Sequence, residues 1–138
     1  MICEEILSAL GKRMHEYESS QQSVNLARQI KIVKKAEEYM HNHLHNPIKI
    51  SEICRMTNTS ERVLEYAFNK IYGLSPKRFL TVLRLNKARK QLLDSSAYDV
   101  NVTSIAMSCG FRHMGRFAAE YKSMFGELPS RTLNSKDD

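Results

Sequence analysis

The chain has 138 residues, a formal net charge of +6 and three widely separated cysteines, Cys3, Cys54 and Cys109. An odd, scattered set of cysteines argues against a disulfide framework, and no apolar run approaches the roughly 20 residues of a membrane span. Acidic residues stand at Glu4 and Glu5, where a secretion signal carries base, so we expect a cytoplasmic protein that has no membrane partner.

The sequence lacks a recognisable catalytic or metal-binding pattern. No nucleophile–base pair, glycine-rich phosphate loop or carboxylate pair stands out, so we predict that the chain is not an enzyme and needs no cofactor. His41, His43 and His45 alternate, but positions two apart do not share a helix face, so no metal site is predicted.

The basic residues are unevenly distributed. Residues 1–46 carry six Lys/Arg and six Asp/Glu, whereas residues 47–131 carry fourteen and seven. A basic surface suits a polyphosphate partner, because neutralising phosphates releases condensed counterions. Charge alone is equally compatible with a soluble domain that happens to be basic.

The first part of the chain has an apolar stripe at helical spacing, which predicts a helix over residues 3–18. Its members are Ile6, Leu7, Leu10, Met14 and Tyr17. The stripe spans two heptads, too few for a stable coiled coil, so we expect it to pack onto the remaining chain or onto sequence outside it. Polar residues 19–23 predict a linker, which makes residues 1–24 an arm.

Residues 25–134 are predicted to form one helical domain, followed by a short tail over residues 135–138. A helix is predicted from about residue 25 to residue 45, because the residue before Pro47 avoids helical angles.

A helix-turn-helix unit is predicted over residues 51–72. Ser51 caps a two-turn helix, Asn58 tolerates the left-handed angles of a tight turn, and Ser60 caps a longer helix that Gly73 ends. In this motif the second helix enters the major groove of DNA. Its predicted core face consists of Val63, Leu64, Ala67, Phe68 and Ile71.

The same pattern returns about 52 residues later, over residues 102–125. Thr103 is predicted to cap the short helix, Gly110 forms the turn, and the second helix is predicted from Arg112 to Phe125. Two units in register, with matched glycine and proline stops, form an internal repeat that is hard to obtain by chance.

One long helix is predicted between the units, over residues 76–94, with Ser75 as its cap and Pro76 at its first position. About 20 residues give a rod of roughly 30 Å, close to the ~34 Å between successive major grooves on one side of B-DNA. The predicted fold class is therefore all-α and homeodomain-like, with two helix-turn-helix subdomains joined by a long central helix.

Several short segments carry a resemblance to a known family. They are Gly73–Pro76, Leu83–Arg89, Ile105–Ala106, Cys109–Phe111, Phe117, Phe125–Gly126 and Pro129. On these residues the stretch from about Ile32 to Leu133 resembles the DNA-binding domain of the AraC/XylS family of bacterial transcription regulators. Residues 113–117 and 127–133 are similar to a subgroup that includes ethanolamine-utilisation regulators.

The resemblance implies seven helices, with the third and the sixth in adjacent major grooves of double-stranded promoter DNA. It also implies regulation of transcription, usually activation, with RNA polymerase as the expected protein partner. Family members mostly carry an N-terminal sensing and dimerising domain that is absent from this sequence. The chain is therefore expected to be part of a longer regulator, or a short stand-alone member, and to dimerise only through such a missing domain.

The resemblance, together with the pairing rules of the major groove, indicates candidate DNA contacts. The expected base contacts are Arg62, Glu65, Tyr66, Arg112, His113, Met114 and Arg116. The expected backbone contacts are Ser60, Glu61, Asn69, Lys77, Arg78, Gly115 and Ala119. Arg62 can donate twice to guanine, and Glu65 can accept from cytosine. The alternative is that Glu61 and Glu65 pair with Arg62 on a solvated helix face.

The second unit offers fewer polar groups, since Met114, Gly115 and Ala119 occupy contact positions. One hypothesis is that its donors near the helix start touch phosphates rather than bases, so that the first unit supplies most of the sequence reading and the second anchors the domain. The rival interpretation is a helical protein-interaction module that does not touch DNA. It predicts neutral outer faces on the second helices, and Arg62 and Arg116 argue against it.

Overall fold

The computed structural model describes residues 2–96 and 98–135, and in those residues all regular structure is helical. The seven helices of this part are α1 (Ile2–Asn42), α2 (Ile50–Thr57), α3 (Glu61–Tyr72), α4 (Pro76–Asp94), α5 (Val102–Ser108), α6 (Met114–Phe125) and α7 (Pro129–Asn134). The predicted all-α fold with two helix-turn-helix subdomains is confirmed. None of these helices is long and apolar enough to cross a membrane. Of the predicted tail, residues 136–138 lie outside the described residues.

The predicted linker over residues 19–23 is wrong, because α1 runs through it without a break. Neither glycine nor proline interrupts this stretch, serine and glutamine cost little in a helix, and the Ser23 hydroxyl donates to the Ser19 carbonyl at 3.0 Å. Of the two packings expected for the arm, the one onto the rest of the chain is not seen, and packing onto sequence outside the chain stays a prediction. Every side chain from Cys3 to Arg28 is exposed.

The first unit consists of α2 and α3 packed against the C-terminal part of α1. Lys49 is the N-cap residue of α2, so the prediction that Ser51 caps this helix is wrong. Asn58 has a φ of 52°, and Ser60 Oγ accepts from the Val63 N–H at 3.2 Å, both as predicted. The core of this unit is Ile32, Val33, Ala36, Met40, Leu44, Ile53, Leu64, Ala67, Phe68 and Leu80.

The second unit consists of α5, α6 and α7. Asn101, rather than Thr103, caps α5, since its Oδ1 accepts from the Ser104 N–H at 2.8 Å. Its α6 begins at Met114, two residues later than predicted. The core of this unit is Leu85, Ala88, Leu92, Ile105, Ala106, Cys109, Phe117, Tyr121 and Leu133.

Side-chain hydrogen bonds join two helices of the second unit, and a buried thiol lies in its core. The Tyr121 hydroxyl donates to Thr132 Oγ1 at 2.8 Å, and the Thr132 hydroxyl donates to Glu127 at 2.7 Å, which ties α6 to α7. Burial raises the pKa of the Cys109 thiol, which lies directly before the turn glycine.

α4 belongs to both units, because its two halves pack into different cores. Ser75 Oγ accepts from the Arg78 N–H at 3.1 Å, and Pro76 stands in the first turn, so the predicted start is confirmed. Its 19 residues give a rod of about 28 Å. The first core receives Leu80, and the second receives Leu85, Ala88 and Leu92.

Arg84, near the middle of α4, joins the two units. Its Nε donates to the Leu44 carbonyl at 3.1 Å, and its Nη2 donates to the Asn46 carbonyl at 2.8 Å. The turn of the second unit lies against the same place: a Cβ on Gly110, whose φ is +95°, would stand 2.3 Å from the Leu44 oxygen and 2.7 Å from Arg84 Nε. The loop after α1, the middle of α4 and the turn before α6 therefore meet at one junction.

Gly110→Ala is expected to lower the free energy of unfolding by about 2 kcal/mol or more, because the new methyl group both strains the backbone and collides with a carbonyl that cannot easily move. Urea unfolding followed by circular dichroism measures this. Gly115→Ala is the matched control, since a Cβ at Gly115 meets nothing within 4 Å. Equal loss of stability in the two variants would contradict the junction.

Candidate nucleic-acid interface

α3 is amphipathic and turns a polar face to solvent. Leu64, Ala67 and Phe68 are buried in the first core. The exposed side chains are Glu61, Arg62, Glu65, Tyr66, Asn69 and Lys70. Six of the predicted contact residues, counting Ser60 at the cap, are thus placed on one accessible face of the second helix of the unit.

The alternative in which acidic neighbours hold Arg62 is not seen. Among the described residues, the ion pair found within 4.0 Å is that of Arg78 with Glu120. Neither Glu61 nor Glu65 lies within that distance of the Arg62 guanidinium. The guanidinium of Arg62 therefore keeps its donors for another partner. Asn69 Nδ2 donates to the Glu65 backbone carbonyl at 3.0 Å, so this amide is partly engaged within α3.

Val63 departs from its predicted place in the core, since 40% of its surface is exposed. It lies at the edge of α3 next to α1, where both helices line a surface cavity of about 320 Å³. The lining residues are Asn25, Arg28, Gln29, Ile32, Arg62, Val63 and Tyr66. Arg28 thus lines the same cavity as Arg62, a neighbour that no local motif could reveal because it comes from a helix outside the repeat.

The start of α6 presents the donors of the second unit. Arg112, His113 and Arg116 are exposed, and His113 occupies the N-cap position without a side-chain capping bond. Gly115 and Ala119 are exposed on the same helix. Met114 differs from the expectation of a free contact residue, because it is half-buried against the second core.

The start of α4 lies close to α6. Lys77 and Arg78 are exposed, and Arg78 Nη1 lies 3.9 Å from Glu120 Oε1. Both partners keep substantial solvent contact, so this ion pair contributes little stability. Arg78 therefore shares its charge between Glu120 and solvent, and a nearby phosphate would compete for it.

These observations give two amphipathic second helices, each behind a tight turn and each exposing arginine, held in a fixed relation by α4 and by the Arg84 junction. A helix of this kind fits the major groove, and guanidinium groups suit guanine edges and phosphates.

Comparison with known proteins agrees with the helix-turn-helix fold described above and with the family that the sequence resembles. Residues 53–135 match the helix-turn-helix domain family. The XylDLEGF operon transcriptional activator of Pseudomonas putida is 38% identical over 96 residues, which are 70% of this chain and 30% of that protein. The chain thus spans less than a third of the length of this curated relative.

Two solved structures are similar over most of the chain. A probable AraC family transcriptional regulator from Rhodopseudomonas palustris has a TM-score of 0.70 and 39% identity over 76% of this chain and 96% of that one. The DNA-binding domain of AdpA, solved in complex with a target DNA, has a TM-score of 0.64 and 20% identity over 78% of this chain and 90% of that one, and shares the fold. The chain therefore belongs to the AraC/XylS family of helix-turn-helix proteins and contains its DNA-binding domain.

Proposed function

We propose that this chain binds double-stranded DNA sequence-specifically and regulates transcription, with α3 and α6 in adjacent major grooves. The observation that carries the proposal is the pairing of two exposed, arginine-bearing second helices on one shared α4, whose length of about 28 Å is close to the ~34 Å groove repeat. The similarity to an operon activator and to a domain solved on DNA supports it.

The two units have different roles in this proposal. Arg62, Glu65 and Tyr66 on α3 supply most of the base contacts, since they are exposed and chemically suited to base edges. At the start of α6, the donors hold phosphates more than bases, because the exposed face of the helix offers Gly115 and Ala119, which have no polar side chain. These donors are Arg112 and His113, just before the helix, and Arg116 in its first turn. The backbone contacts at Ser60, Glu61, Asn69, Lys77 and Arg78 complete the interface.

The whole protein acts, in our proposal, as a bacterial transcription activator in the cytoplasm, with RNA polymerase as its protein partner. The similarity to a longer operon activator supports this role. The competing function, a protein-interaction module without DNA binding, predicts neutral outer faces on α3 and α6. The exposed Arg62, Arg112 and Arg116 disfavour it.

Selection of bound duplexes from a random pool tests the proposal. We expect one strong sequence block, read by α3, and at most a weak preference centred about 10–10.5 base pairs away, where α6 meets the same side of the duplex mainly through phosphates. Binding should weaken with salt with a log–log slope of about −3.6 or steeper, since Lys77, Arg78, Arg112 and Arg116 would each neutralise about one phosphate. Salt-insensitive or undetectable binding would instead favour the interaction module.

Arg62→Ala should weaken binding to the selected duplex by about 1–3 kcal/mol and relax preference at one base pair, because a bidentate contact to guanine is lost. Fluorescence anisotropy against duplexes changed at single positions measures both effects. Lys90→Ala is the control, since Lys90 is exposed on α4, is not among the expected contact residues, and its replacement removes the same charge. A uniform loss over all duplexes would assign Arg62 to the backbone instead.

Gly115→Glu should weaken binding about tenfold or more on every duplex alike, because a carboxylate placed at a phosphate contact repels it regardless of sequence. The open space around Gly115 lets the longer side chain enter without disturbing the fold. Gly115→Ala should keep the affinity of the unchanged chain. A loss confined to one base position would show that α6 reads sequence there.

A further inference from the structure

The N-terminal half of α1, up to about Gln21, does not line the cavities that residues 22–32 share with α3. Every side chain from Cys3 to Arg28 is exposed, although several are large and apolar. Leu7 is 67% exposed, Met14 64%, Tyr17 66% and Val24 60%. An isolated helix is only marginally stable in water, and a row of exposed apolar side chains marks an interaction surface.

These apolar side chains follow a heptad repeat in which the spacing alternates between four and three residues. We name as the α1 seam the residues Cys3, Leu7, Leu10, Met14, Tyr17, Gln21 and Val24. Leu7, Met14 and Gln21 take the a positions of the heptads. Cys3, Leu10, Tyr17 and Val24 take the d positions. Because α1 is continuous through residues 19–23, the seam spans three heptads rather than two.

The α1 seam ends before the residues that anchor this helix. Val24 is its last member, and Ile32 is the first residue of α1 that is buried in the first core. At about 100° per residue, the centre of the seam is roughly a quarter turn from Val33, Ala36 and Met40 and about 30° from Ile32. A partner can therefore cover the seam up to Val24 without displacing the buried part of α1.

We propose that two copies of this chain pair in parallel through the α1 seam. The charged residues beside the seam favour a second copy of the chain as the partner and a parallel orientation of the two helices. Arg13 takes a g position and Glu18 the following e position, and a parallel coiled coil brings each g residue against the next e residue of the other helix. Arg13 of each copy thus meets Glu18 of the other, and Ser20 likewise meets Asn25.

The same two charges cannot satisfy each other within one chain. Residues five apart on a helix are separated by about 140° around its axis, and Arg13 and Glu18 form no ion pair with each other. An antiparallel pair would set g residues against g residues and e residues against e residues, which removes the Arg13–Glu18 attraction. In this proposal the seam pairs the chains without a separate dimerisation domain, which is the alternative to the expectation drawn from the family resemblance.

Sedimentation equilibrium over a concentration series, in reducing buffer and without DNA, tests the pairing. We expect a monomer–dimer equilibrium. The double variant Leu10→Asp, Tyr17→Asp should raise the dissociation constant about tenfold or more, because it puts charge into two core layers. The control Ser8→Asp, Ser19→Asp adds the same charge at exposed positions outside the seam and should dimerise normally. A chain that is monomeric throughout, or a dimer that survives the seam variant, overturns the proposal.

Charge exchange tests the direction. Arg13→Glu alone and Glu18→Arg alone should each raise the dissociation constant by about threefold to thirtyfold, since each sets like charges together twice in the dimer. An equimolar mixture of the two single variants should recover the original affinity as heterodimers. Loss of affinity in the single variants without recovery on mixing overturns the parallel arrangement.

Discussion

The guanidinium of Arg84 is the group on which the placement of the two units depends. Arg84 lies on the helix that both units share, and its guanidinium donates hydrogen bonds to the Leu44 and Asn46 carbonyls, in the chain that leaves α1. Burial and the nearby Arg112 charge lower the pKa of Arg84, but an arginine side chain stays charged in proteins. A half-buried charge must be solvated by fixed dipoles, so these carbonyls cannot drift without a cost in free energy. Gly110 completes the junction because no larger residue fits against the Leu44 oxygen.

This junction matters because neither unit has a large core of its own. Each hydrophobic cluster contains about ten buried residues, and each takes part of its apolar surface from α4. Small domains bury a low fraction of their surface and are marginal when alone. Because α4 is shared, both hydrophobic clusters bury apolar side chains against the same helix. The spacing of α3 and α6 is then a property of α4 and the Arg84 junction rather than of a flexible connection.

Helix ends that depend on capping residues and glycines could be predicted from the sequence. Ser60 and Ser75 cap their helices, and Gly73 and Gly126 end theirs with positive φ, so the bounds of α3 and α4 and the end of α6 followed from the sequence. Asn101 was missed as a cap because Thr103, two residues later, satisfies the same preference.

The parts that depend on tertiary neighbours were not predictable in this way. Polar residues 19–23 carry no signal that separates an exposed helix from a linker, so the continuity of α1 was missed. The exposure of Val63 and the nearness of Arg28 to Arg62 depend on how α1 crosses α3, which no spacing within either helix encodes. The Arg84 junction joins residues 40 positions apart in the chain. The candidate contact residues on and next to α3 and α6 could be named from the family resemblance and the pairing rules of the major groove, but their neighbours in the protein could not.

The buried Cys109 thiol has a use as an internal reporter. Thiol reagents attack the thiolate, and burial both hides this sulfur and raises its pKa, so labelling must wait for the second unit to open. The labelling rate of Cys109 therefore reports how often the structure opens locally, next to the turn that precedes α6. A duplex bound to α6 would slow this labelling. The labelling rate of one native cysteine would therefore report how much bound DNA stabilises the second unit against local opening.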